Sequence, residues 1–87
     1  MRVWVDSSNV SDKIVAARTK KAAMEAMGVS RHHFDQFCGE TGNRFEILLG
    51  NLNPGQVYVR PDRGRCRNQW LRLPEGEHAY TYTGGSR

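Results

Sequence analysis

The stretch "AMGVSRHHF", residues 26–34, constrains this chain more than any other. An apolar helix end, a glycine, a small hydrophobe, a serine and a basic run read as two helices meeting at a tight turn. Thr19 is placed to cap the first helix, its hydroxyl accepting from a free first-turn N–H. The helix then runs near 20–27, with Ala23, Met24 and Met27 on one face and Lys20, Lys21 and Glu25 outside. Gly28 suits the left-handed position that ends many helices. Ser30 caps a second helix near 31–38 that buries Phe34, Phe37 and Cys38, and "GETGN" follows as a loop by composition.

Strands flank this pair. "RVWV" and "KIVAA", separated by the polar "DSSNVSD", read as a hairpin over roughly residues 2–6 and 13–17. Val3 and Val5 share one face, which leaves Trp4 on the other beside Arg2 and Asp6, either as core of a two-sided sheet or as an exposed anchor. Residues 43–53 fit a strand ("RFEILL") or a short helix, and Pro54 stops a helix in either case. "QVYV" (56–59) and "NQWLRL" (68–73) read as strands joined by the arginine-rich "RPDRGRCR". The expected fold is therefore α+β, a small antiparallel sheet packed by two short helices. Residues 1–73 form the single domain, and 74–87 are a tail that either adds an edge strand through "HAYTYT" or stays disordered.

With 87 residues, the chain buries only roughly 60–65% of the surface its unfolded form exposes, so the core is thin and a deep substrate cavity is disfavoured. No secretory leader is expected in "MRVWVDSS", and the longest mid-chain aliphatic run, "ILL", is far below the about 20 residues a membrane span needs. Cys38 and Cys66 then read as reduced thiols of a cytoplasmic protein, Cys66 in a loop, and no membrane partner is expected.

The net charge of +4 falls in two blocks. Residues 18–31 carry Arg18, Lys20, Lys21 and Arg31 against Glu25, and residues 60–72 carry Arg60, Arg63, Arg65, Arg67 and Arg72 against Asp62. Blocks of this kind suit an anionic partner, either nucleic acid or an acidic protein face. The arginine-rich connection is the first candidate contact: Arg60, Arg63, Arg65 and Arg67 beside the aromatics Tyr58 and Trp70, with Lys20 and Lys21 as a second patch. The alternative is a helix-turn-helix reader presenting Ser30, Arg31, His32, His33 and Gln36 to base edges. Against it stand the strands that precede the helices and the acidic Asp35 and Glu40 where phosphates would approach.

Catalytic and metal readings find little support in spacing. His33 and Cys38 are five apart, which does not align them on one helix face, and Cys66 with His78 lacks the paired spacing of zinc sites. His32 and Asp35 are placed to pair, but no nucleophile or oxyanion element accompanies them. The expectation is a non-enzymatic protein with no cofactor and no metal.

"KIVAARTKKAAMEAMGVSRHHF", the later "TGN" and "NPGQVYVRP", covering roughly residues 13–61, resemble short orphan proteins of bacteriophages and prophages. In its small size and its lack of a catalytic set the chain also resembles phage-encoded inhibitors of bacterial defence of the anti-CRISPR kind. The resemblance implies a protein that occludes a surface of a host nucleoprotein complex in the bacterial cytoplasm. No functional residue carries over from it. Many such inhibitors are acidic mimics of DNA, whereas this chain is basic, which favours an acidic protein face or bound nucleic acid as the contact. The expected partner is a host protein or nucleoprotein complex, with direct nucleic-acid binding by a small regulator as the alternative and a homodimer left open.

Overall fold

The computed structural model describes residues 1–7, 11–61, 68–80 and 82. Alternation makes the strands. β1 (Val3–Asp6) and β2 (Ser11–Ala16) pair antiparallel with Val3 opposite Ala16 and Asp6 opposite Lys13, the expected hairpin. β2 also pairs with β4 (Tyr58–Pro61), which carries β5 (Leu71–Arg72) on its other side. β4 is as long as "QVYV" but starts two residues later, and β5 is shorter than "NQWLRL" suggests. With β3 (Cys38–Glu40) on the outer side of β1, the five-stranded antiparallel sheet runs β3-β1-β2-β4-β5, an α+β fold as expected.

Local chemistry sets the first two helices. Thr19 accepts from Ala22 N at 3.1 Å at the start of α1 (Lys20–Met27), and Gly28 ends it with φ +74. Ser30 accepts from His33 N at 3.2 Å at the start of α2 (Arg31–Phe37). That helix stops before Cys38, whose backbone is extended, and "CGE" forms the edge strand β3 (Cys38–Glu40) where a loop was expected. Phe37, expected to be buried, is exposed on the last turn of α2. The ambiguous segment is a helix, α3 (Arg44–Leu52), started by Asn43, which accepts from Glu46 N at 3.0 Å. At the other end of the chain, Ala79 and Tyr80 lie in a turn and not in a strand.

The sheet is the middle of three layers. On one face Trp4, Val15, Val57 and Val59 meet Ala23 and Met27 of α1 and Phe34 of α2. Trp4 is thus core, and its indole N–H donates to Ala17 O at 3.1 Å. On the other face Val3, Ile14, Ala16 and Tyr58 meet Ile47 and Leu49 of α3. α3 approaches closely because Gly50 offers no side chain: a Cβ there would stand 2.9 Å from a Val3 methyl carbon.

Candidate functional site

Two features stand out, an exposed apolar ridge and a buried polar cluster. The ridge belongs to α3. Ile47, Leu49 and Gly50 turn toward the sheet, so the helical period aims Phe45, Leu48 and Leu52 away from it. Their exposures are 59%, 65% and 71%, large for such side chains. Met1 is also exposed and is held to the same helix by a bond from Asn51 Nδ2 to its carbonyl at 3.1 Å. Of the five exposed large hydrophobic residues among those described, only Phe37 lies elsewhere in the fold.

The cluster sits on the α1/α2 face, where the sheet register brings Lys13 and Cys38 to either side of Asp6. Asp6 and Lys13 are both fully buried. Asp6 Oδ2 lies 2.8 Å from His33 Nε2 and also accepts from the Tyr80 hydroxyl. The carboxylate is an acceptor, which assigns the His33 proton to Nε2 in this pairing. Lys13 Nζ donates to Ser11 O at 2.9 Å and stands 4.0 Å above the Tyr80 ring. Burial lowers the Lys13 pKa from its ordinary value, with Asp6, Asp12 and Cys38 opposing. The Cys38 thiol is pushed up to about 12 by burial first, then by the Asp6 charge and a hydrogen bond with Asp6. A thiol so disfavoured as thiolate is a poor nucleophile.

The residues singled out by sequence fall in different places. Lys20, Lys21, Ser30, Arg31, His32 and Gln36 are exposed on α1, α2 and the turn between them, Arg31 within 3.7 Å of Asp35. His33 does not face outward: it turns inward to Asp6, because its position on α2 lies over β1. Tyr58 is not an exposed anchor either. The register places it beside Ile14 under the end of α3, buried, with its hydroxyl accepting from Asn53 Nδ2 at 2.9 Å. Arg60 pairs with Asp12 across the β2–β4 ladder, Nε to Oδ2 at 3.2 Å, and its guanidinium lies 4.8 Å over the half-buried Trp70 ring. Arg63, Arg65, Arg67 and Cys66 lie outside the described residues.

Sequence reasoning missed the ridge and the cluster alike. His33 and Cys38 cannot share a helix face at a spacing of five, but α2 ends between them, and the β1–β3 pairing swings Cys38 back beside Asp6. The local signal was weak, since "CGE" has little strand character. No known protein family, curated protein or solved structure matches the chain. Among the described residues no helix is long and apolar enough to cross a membrane.

Proposed function

We propose that this chain is a non-enzymatic docking protein that seats α3 in an apolar groove on a protein component of a nucleic-acid-handling complex and blocks that surface. The observation that carries the reading is the spacing of Phe45, Leu48 and Leu52 at i, i+3 and i+7, all outward and all more than half exposed. That is the anchor pattern by which a groove reads a helix. Full burial of a leucine or phenylalanine side chain is worth about 1.5–3 kcal/mol. Covering three that are roughly two-thirds exposed therefore supplies on the order of 3–6 kcal/mol, or about 10²–10⁴ in affinity. The exposed Lys20 and Lys21 and the Arg60–Trp70 stack are cationic groups that nucleic acid held by such a partner would meet.

The test is capture of the partner from bacterial lysate, then affinity measurements with the purified partner and three variants. Leu48→Glu/Leu52→Glu should lose about 30-fold or more, from the about 2–4 kcal/mol that two of the three side chains carry. Gln36→Ala should change little. Equal binding by the leucine double variant overturns the assignment of α3, and equal binding by Arg63→Glu/Arg65→Glu removes the arginine-rich connection from the interface. Binding of the isolated protein to a random-sequence duplex that falls on the order of a thousandfold between about 50 and about 200 mM salt would instead transfer the reading to the regulator presenting Arg31, His32 and Gln36.

A further inference from the structure

We propose that Asp6, His33 and Cys38 form a binding site for a divalent transition-metal ion of the zinc class. Three donors of graded softness, a carboxylate oxygen, an imidazole nitrogen and a sulfur, come from β1, α2 and β3, and their ligand atoms all lie within 4.8 Å of one another. Tetrahedral zinc with metal–ligand bonds of about 2.0–2.3 Å holds its ligand atoms about 3.3–3.6 Å apart. The cluster thus reaches that geometry by adjustments on the order of an ångström, with Asp6 and His33 opening from 2.8 Å. Mixed O, N and S donors, with Asp6 buried and His33 and Cys38 half-buried, select zinc-like ions over magnesium or calcium, which take oxygen.

The site is built by the fold and not by one flexible segment. Backbone pairing sets Asp6 against Cys38, and the Ser30 cap fixes the first turn of α2 that carries His33. The Tyr80 hydroxyl, bonded to Asp6, stands where it supports that carboxylate from outside. On binding, the Cys38 thiol releases its proton to solvent. The resulting thiolate and the Asp6 carboxylate then balance the two charges of the ion. Lys13 is the cation that shares the pocket: it keeps its bond to Ser11 O and its place over the Tyr80 ring, and its charge opposes the ion. This inference is independent of the α3 docking surface.

The experiment uses the full chain carrying Cys66→Ser, which leaves Cys38 as its one thiol, stripped of metal and titrated with Co²⁺ alone. The expected result is one equivalent bound with thiolate-to-cobalt absorption in the near ultraviolet, displaced by Zn²⁺. Cys38→Ser should abolish that absorption. His33→Gln should weaken binding by more than the roughly 10–100-fold that loss of an outer-shell partner costs. Lys13→Met, which removes the opposing charge, should tighten it. Circular dichroism confirms that each variant is folded. Absence of the thiolate band on the folded protein at saturating Co²⁺, or cobalt binding unchanged by Cys38→Ser, overturns the site; in the second case the ion is on exposed histidines.

Discussion

Replacing Gly50 with alanine tests how α3 is held. In a helix interior alanine is worth about 1 kcal/mol more than glycine, so an unhindered site would gain stability. Here the added Cβ meets two methyl carbons of Val3 at 2.9 and 3.0 Å. Val3 is itself 1% exposed and β-branched, so its χ1 freedom is restricted and it has no open space to retreat into. Overpacking of this kind costs about 1–3 kcal/mol, which leaves Gly50→Ala destabilised by about 0–2 kcal/mol after the helical gain. Val3→Ala alone opens a cavity and costs on the order of 2 kcal/mol. In the double variant the new methyl occupies the vacated space, so the pair should be more stable than additivity predicts by about 1–3 kcal/mol. Urea unfolding of the four proteins, with m-values compared, measures this directly. Partner affinity should follow, weakened by Gly50→Ala as the ridge shifts and recovered in the double variant. A Gly50→Ala protein about 1 kcal/mol more stable than the parent, with effects that simply add, would refute the packing of α3 on β1.

Three further outcomes are expected. Tyr80→Phe removes a donor to the buried Asp6 and should cost about 1.5–3 kcal/mol in urea unfolding, the range for a hydrogen bond to a charged group; an unchanged midpoint would show that Tyr80 is not anchored there. In chelator, the raised Cys38 pKa makes its contribution to stability full below its ordinary value of 9.0 and progressively lost as pH rises toward about 12. The parent should therefore lose up to about 1.4 kcal/mol relative to Cys38→Ser between neutral pH and pH 10, and parallel pH profiles would contradict the burial of the thiol. Ser30→Ala should cost about 1 kcal/mol through loss of the α2 cap, with amide exchange at His33 accelerating as the specific readout.

What was legible in the sequence was the local chemistry. Thr19, Gly28 and Ser30 announce helix ends because capping and the left-handed turn need those residue types whatever lies beyond. The alternation in "RVWV" places Trp4 and Val3 on opposite faces, and both faces prove to be covered. Structure that depends on distant partners was not legible. "CGE" becomes a strand only because β1 offers an edge to pair with, and "RFEILL" carries apolar residues that suit either period until Asn43 caps it as a helix. The ridge could not be seen because Phe45, Leu48 and Leu52 look like core until the sheet claims Ile47, Leu49 and Gly50 instead. Nothing local marks Asp6 and Lys13 as core, since aspartate and lysine are almost never fully buried unless paired. They are opposite each other on adjacent strands, with His33, Cys38 and Tyr80 closing around them.

The most direct test of docking through α3 is photo-crosslinking in bacterial lysate, with a benzophenone amino acid replacing Leu48 in one protein and Glu25, exposed on α1, in another. Position 48 should yield one dominant protein adduct that co-purifies with nucleic acid, absent from position 25 and lost when Leu52→Glu is added. The same adducts from both positions, or an adduct indifferent to Leu52→Glu, would contradict it.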